Sequence, residues 1–188
     1  EYHYTLYYYD AAGSLVQTVP PEGVKIAAAG AAYADHDLKT RYAYNVTGGM
    51  EWQHTPDGGS SEFWYDELGR LQLSQNAQQK EDKHYSYTKY DKQGRIVEVG
   101  QLEKKKRTDG TVIDLNKNEL LAGITSNDVN FPNADDYVLD QRTLTYYDEF
   151  TPSTLANVGT TSLIDGDNLR GRVAATEVIE LAETEPNA

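Results

Sequence analysis

The sequence predicts an all-β chain of consecutive antiparallel β-hairpins, with one loop and short-helix excursion. Three observations predict it. A short phrase recurs: an aromatic, then Asp or Asn, two free residues, Gly, and an apolar residue two places on. Tyr is abundant at 15 residues, and its large apolar body with a polar tip lets a sheet hold together with few aliphatics. Strong turn signals, Pro20-Pro21-Glu22-Gly23 and Thr55-Pro56-Asp57-Gly58-Gly59, stand where strands would end.

The phrase reads Tyr9-Asp10-Ala11-Ala12-Gly13-Ser14-Leu15, then Tyr44-Asn45-Val46-Thr47-Gly48-Gly49-Met50. It returns as Tyr65-Asp66-Glu67-Leu68-Gly69-Arg70-Leu71 and Tyr90-Asp91-Lys92-Gln93-Gly94-Arg95-Ile96. A fixed internal offset of this kind marks a repeat architecture. Asp or Asn at the first turn position accepts hydrogen bonds from backbone two residues on. Gly three places later suits a left-handed residue. Together they predict a three-residue loop, a type I turn closed by a glycine bulge. The loop sets Asp66 against Arg70 and Asp91 against Arg95. It sets Tyr9 against Leu15, Tyr44 against Met50, Tyr65 against Leu71 and Tyr90 against Ile96, and such pairs stabilise sheets. Simple alternation then puts Tyr7, Tyr42 and Phe63 on the same face as Tyr9, Tyr44 and Tyr65, facing Gln17, Trp52 and Leu73. The fourth copy offers Thr88 and Glu98 there. One aromatic face per hairpin, packed on the next hairpin, is the expectation.

In order along the chain, hairpins are expected at about 2–20, 40–56, 61–76 and 85–101. The Ala-rich stretch Lys25 to Ala32 reads as a short helix or a covering loop. Residues 102–140 form the excursion. Within it, Lys104-Lys105-Lys106-Arg107 reads as a solvated turn, and Asp114 to Ile124 as a helix with Asp114 as cap and Gly123 near its end. A fifth hairpin, 141–181, is split. Arg142 to Asp148 supplies its first strand, and Asn168-Leu169-Arg170-Gly171-Arg172-Val173 repeats the offset of three, so 149–167 reads as an insertion at the tip. Residues 1–182 are expected as a single segment, with 183–188 a frayed end or linker. The chain opens at Glu1 and enters Tyr2-His3-Tyr4 directly, which predicts a piece of something longer.

Composition narrows function. With 188 residues the chain is long enough for one domain and a real core. The net charge of −13, from 17 basic and 30 acidic residues, argues against nucleic acid and anionic membrane as partners. There is no Cys, so disulfides play no part. No apolar run is long enough to span a membrane and no signal-peptide pattern is present.

Chemistry-bearing clusters are weak. Asp35-His36-Asp37 has metal-ligating residue types, yet no second cluster matches it and zinc needs three or four ligands. Asp165-Gly166-Asp167-Asn168 and Asp135-Asp136 read as turns, because no twelve-residue calcium loop follows. Gly-x-Ser-x-Gly is absent, and carboxylate pairs carry no information in so acidic a chain. Asn45-Val46-Thr47 fits a glycosylation sequon inside a tight turn. Trp52 and Trp64 are the candidates for stacking on sugars. No catalytic, cofactor or metal residues are therefore assigned.

The phrase Tyr-Asp-x-x-Gly-Arg-Leu/Ile at 65–71 and 90–96 resembles the hallmark of the RHS/YD-repeat family. The first copy departs with Ser14 in place of Arg, the second with Asn45 and Gly49. Members of that family include insecticidal toxin-complex cocoon proteins, polymorphic bacterial toxins and the animal teneurins. The resemblance implies a curved sheet strip that is a mid-shell segment of a large secreted or surface protein. It implies a non-enzymatic containing role, with adjacent YD repeats of the same chain and an enclosed toxin polypeptide as partners. The alternative is adhesion to carbohydrate or a surface protein through an exposed sheet face. Family shells end in a self-cleaving Asp-Pro-x-Gly segment, and no Asp-Pro occurs here.

Overall fold

The structure, a computed structural model, describes residues 3–27, 29, 34–125, 131–148 and 170–180. It is an antiparallel β-structure, as the sequence predicts, and forms two compact units, residues 1–82 and 83–188.

The first unit runs β1 (Leu6–Tyr9), β2 (Leu15–Val19), a 3-10 turn (Pro21–Gly23), β3 (Thr40–Tyr44), β4 (Met50–Thr55), β5 (Gly59–Tyr65), β6 (Leu71–Gln75) and α1 (Ala77–Asp82). Each of these strands pairs antiparallel with the one before it, from β1 through to β6. The second unit runs β7 (Tyr85–Tyr90), β8 (Ile96–Lys106), β9 (Val112–Ile113), α2 (Lys117–Thr125), β10 (Tyr137–Tyr147) and β11 (Val173–Ile179). Its ladder is β7-β8-β10-β11, with the short β9 paired to the far end of β8.

The pairings next to the turns follow from the loop length. Tyr9 faces Leu15, Tyr44 faces Met50, Tyr65 faces Leu71 and Tyr90 faces Ile96. Farther out, alternation fails. Tyr7 faces Thr18, Tyr42 faces Gln53 and Phe63 faces Ser74, where Gln17, Trp52 and Leu73 were expected. In the fourth copy Thr88 faces Val99 and Lys89 takes Glu98. The cause is one irregularity, repeated. Just beyond the Tyr-apolar pair the return strand carries an extra residue: Val16, Glu51, Gln72 and Val97. A β-bulge of this kind advances the partner strand by one and increases its local twist. Trp64, rather than Phe63, therefore lies across from the buried Leu73.

Two other elements differ from expectation. Helix α1 was not foreseen. Asn76 and Gln79 form a reciprocal cap, the Asn76 side chain accepting from the Gln79 amide at 2.8 Å and the Gln79 side chain from the Asn76 amide at 3.1 Å. Helix α2 starts later than expected, capped by Asn116, whose side chain accepts from the Asn118 amide. Asp114 instead pairs with Lys83 and Lys104. Gly123 lies within α2 because the Phe131 ring occupies the space a Cβ would need, 2.4 Å away. Phe131 also meets Tyr137 edge-on at 5.6 Å, within the buried set Tyr85, Tyr87, Leu102, Leu120, Ile124 and Leu139. Of the Ala-rich stretch, residues 25–27 and 29 are described and form no helix.

The basic run is no turn. Lys104 to Lys106 lie in β8, where Lys104 pairs with Asp114, Lys105 with Glu119, and Lys106 donates to the Ala134 carbonyl. The turn begins one residue later. Arg107 receives the Gly110 amide at 2.9 Å, and Gly110 is left-handed at φ +83°. The hairpin β8–β9 is thus built on the same three-residue loop within the excursion.

Gly69 and Gly94 have φ of +74° and +80°, and nothing lies within 4 Å of a Cβ at Gly69. The cost of a side chain at these turns is therefore conformational. We predict that Gly69→Val and Gly94→Val each lower unfolding free energy by at least about 1 kcal/mol in urea titrations; unchanged midpoints would contradict the turn assignment.

Candidate functional site

Each of the four repeated tips is built from one Asp or Asn and one glycine. In the first copy, Asp10 Oδ1 accepts from the amides of Ala12 and Ser14, both at 2.9 Å. Asn45 does the same for Thr47 and Gly49, Asp66 for Leu68 and Arg70, and Asp91 for Gln93 and Arg95. The backbone closes each loop as well: Gly13, Gly48, Gly69 and Gly94 donate to the carbonyls of Asp10, Asn45, Asp66 and Asp91. Asn45 needs no charge for this, and its side-chain oxygen is fully engaged within the turn.

The second acid oxygen meets the Arg of the phrase. Asp66 Oδ2 holds Arg70 through Nε and Nη2, both at 2.7 Å. Asp91 Oδ2 holds Arg95 Nε at 2.6 Å, and Arg95 Nη1 continues to Asp148 at 2.7 Å. Burial pushes the Asp91 carboxyl up, and the hydrogen bonds from Arg95 and Gln93 more than offset it, leaving the group below its ordinary range. Asp148 and Asp91 in turn hold the Arg95 guanidinium above its usual value.

Asp148 is the acid of the split fifth copy. Its amide donates to the Arg172 carbonyl, its carboxylate accepts from the Gly171 amide, and Gly171 is left-handed at φ +73°. Tyr147 faces Val173, and an extra residue, Ala174, follows as in the other copies. The tip is therefore rebuilt from residues far apart in sequence. Asn168, expected to open it, lies outside the described residues, as does Asp165-Gly166-Asp167.

The phrase Tyr joins one hairpin to the hairpin before it. The hydroxyl of Tyr44 donates to the Leu15 carbonyl at 3.0 Å, that of Tyr65 to Met50 at 2.8 Å, and that of Tyr147 to Ile96 at 3.0 Å. In each case the acceptor is the apolar residue two past the glycine. Sequence reasoning saw a Tyr-aliphatic pair and missed the hydroxyl. The signal was the choice of Tyr over Phe at all five positions. Over this seam the residue after Gly sits against the ring. Arg95 stacks 4.3 Å from the Tyr147 ring centre, whereas Gly49 lets the Tyr65 ring come within 3.2 Å of where a Cβ would be. Of the expected aromatic face, Tyr42, Tyr44, Phe63, Tyr65 and Tyr90 are half-buried, while Tyr7 and Tyr9 are 58% and 61% exposed.

One buried charged cluster lies on the second unit. Glu98, 8% exposed, accepts from the Tyr87 hydroxyl at 2.6 Å and from Arg142 Nε at 2.8 Å, with Lys89 Nζ at 3.1 Å. Burial raises its pKa, but Arg142, Tyr87 and Lys89 together hold it below the ordinary 4.5. Burial and the Glu98 carboxylate both push the Tyr87 phenol up. Every oxygen of the cluster is satisfied by a neighbouring side chain, which describes a structural brace rather than a poised acid or base. Asp114 is held at about 2 by Lys104 and Lys83.

Asp35-His36-Asp37 disperses in the fold. Asp35 pairs with Lys39, Asp37 with Lys25, and His36 Nδ1 accepts from the Lys25 amide. Among the described residues no three His, Cys, Asp or Glu side chains converge, and no described helix is long and apolar enough to cross a membrane. Trp52 is half-buried and stacked on His54, with ring centres 6.0 Å apart.

No family model matches the chain and no curated protein matches it. Among solved structures, it is similar to a structure of the Photorhabdus luminescens Tc holotoxin pore carrying a mutation in TccC3, at 15% identity and a TM-score of 0.36. It is also similar to a crystal structure of TcdB2-TccC3, at 14% identity and a TM-score of 0.36. Each likeness covers 76% of this chain and 6% of the other. Likeness at that level does not bear on function.

Two measurements test the geometry. Removing a latch hydroxyl by Tyr65→Phe is predicted to cost about 1 kcal/mol, the net value of such a hydrogen bond, read from urea unfolding; no loss would refute the latch. For Glu98 the folded pKa is depressed, so its contribution is present above the unfolded pKa near 4.5 and is lost as pH falls through the folded value. Glu98→Gln should therefore destabilise the chain at pH 7 and narrow the difference in unfolding midpoint between pH 7 and pH 3. An unchanged pH dependence would contradict the brace.

Proposed function

We propose that the chain is a structural segment of a YD-repeat β-shell, non-enzymatic, in a large secreted or surface protein that contains a C-terminal cargo polypeptide. The observation that carries this reading is the stitched repeat itself. Tip, bulge and tyrosine latch recur at the same offsets, so each hairpin is made to be continued by another of its kind. A lone hairpin is at best marginally stable in water, and here the polar chemistry is spent joining neighbours. The containing role is our inference from the family resemblance of the repeated phrase.

A second reading is adhesion through an exposed sheet face, favoured by the outward Tyr7 and Tyr9 of β1. The two separate in the complete parent protein. Containment predicts repeats continuing for many hundreds of residues to an Asp-Pro-x-Gly segment, and a C-terminal peptide that resists protease until the shell is unfolded. Immediate digestion of that peptide, with flanking domains that bind glycans, would overturn containment in favour of adhesion.

A further inference from the structure

We infer that the cleft between the loop preceding β3 and the outer end of β4 binds a free phosphate ion, with Arg41, Lys39, His36 and His54 as donors and Asp35 as acceptor. Register builds the cleft. Gln17 pairs with Arg41, Arg41 with His54 and His54 with Ser60, so one row of polar side chains crosses β2 to β5 on a single face. The loop ahead of β3 brings Asp35, His36 and Lys39 to the same cleft, which has a volume of about 330 Å³. Two bonds fix that loop. The Asp37 amide donates to the Gly23 carbonyl at 2.9 Å, and the Lys25 amide donates to His36 Nδ1 at 3.1 Å. Within the loop, Leu38 is left-handed at φ +49°, a strained conformation of the kind held at ligand sites.

The donors of this cleft are unspent. Arg70, Arg95 and Arg142 each hold a carboxylate. Arg41 holds none among the described residues, in a chain with 30 acidic residues to 17 basic ones. Its Nε reaches Gln17 Oε1 at 3.4 Å, and both Nη groups are left for a ligand. That fork is the geometry in which arginine binds oxyanions bidentately. His36 Nδ1 is an acceptor, so the ring proton of the neutral imidazole sits on Nε2, a donor. His54 Nδ1 is engaged with the Ser60 hydroxyl at 3.1 Å, and its Nε2 has no partner among the described residues. Lys39 gives one N–H to Asp35 and keeps two. Asp35 is the one acid on the lining, and the Lys39 ammonium holds its carboxyl below the ordinary range, so it stays an acceptor at neutral pH. One acceptor among donors selects the ion. Phosphate keeps a proton at pH 7 and can give it to Asp35, whereas sulfate keeps none and meets Asp35 as a like charge.

Titrating the whole chain with inorganic phosphate at pH 7 and constant ionic strength, followed by amide and histidine NMR shifts, tests this. Saturable shifts are expected at roughly millimolar phosphate or below, confined to His36, Lys39, Arg41, His54 and their neighbours. Sulfate should bind at least about fivefold more weakly. A phosphomonoester, mostly without the last proton at pH 7, should behave like sulfate. Arg41→Gln should weaken phosphate binding about tenfold, and Arg41→Lys less. Lys92→Gln, which removes an exposed charge at another hairpin tip, should leave it unchanged. Asp35→Asn should bring the phosphate and sulfate affinities together. Amide spectra of the variants confirm their fold. No saturable shift, shifts spread evenly along the chain, sulfate or the monoester bound as tightly as phosphate, wild-type affinity in Arg41→Gln, or an unchanged preference in Asp35→Asn would each overturn the proposal. Such failure would leave the shell reading standing, because that reading rests on none of these side chains.

Discussion

One side-chain oxygen receiving two amide hydrogens is the constraint from which the rest of the architecture follows. In a three-residue loop the amides two and four residues past the acid point inward with no strand partner. Asp10, Asn45, Asp66 and Asp91 supply that partner from their own side chains. Asn serves as well as Asp, so geometry, not charge, is what the turn requires. Charge acts elsewhere, in the second oxygen, which holds the Arg of its own hairpin and through Arg95 reaches the acid of the next. The tip of one hairpin and the tip of its neighbour are thereby tied in the second unit.

The tyrosines tie the hairpins a second time, along the seam. Because each hydroxyl ends on a backbone carbonyl of the preceding hairpin, the bond is indifferent to which apolar side chain stands there: Leu15, Met50 and Ile96 serve equally. The residue facing the ring varies between Gly49 and Arg95, and the seam accepts both, by close approach in one case and by a cation over the ring in the other. This tolerance explains how copies that differ at so many positions keep one geometry. The split fifth copy extends it further. Asp148 rebuilds the tip across a long insertion: its amide donates to the carbonyl of the residue after the glycine, as in the other copies, while its carboxylate takes the Gly171 amide itself.

Much of this was legible in the residues. The Asp-to-Gly offset specified the loop, and the loop specified which residues face each other beside it, from Tyr9 and Leu15 through Tyr90 and Ile96. The extra residue just beyond was not legible. Val16, Glu51, Gln72, Val97 and Ala174 share a place but no side-chain signature, and a bulge that leaves one residue unpaired asks for none that a local pattern would show. Hence the partners of Tyr7, Tyr42 and Phe63 were misplaced by one. Helix α1 was hidden by its length, although Asn76 and Gln79 carried its cap. The Glu98 cluster was invisible for another reason: Tyr87, Lys89, Glu98 and Arg142 come from three strands, and no spacing announces their meeting.

Residue-resolved native-state hydrogen exchange tests the central claim most directly. The amides of Ser14, Gly49, Arg70 and Arg95 lie at hairpin tips, where strand pairing does not reach them, and each is held by the acid or amide side chain of its own turn. They are predicted to exchange as slowly as the strand amides beside them. Exchange of these amides at the rate of an unstructured peptide, with the strands still protected, would contradict the account.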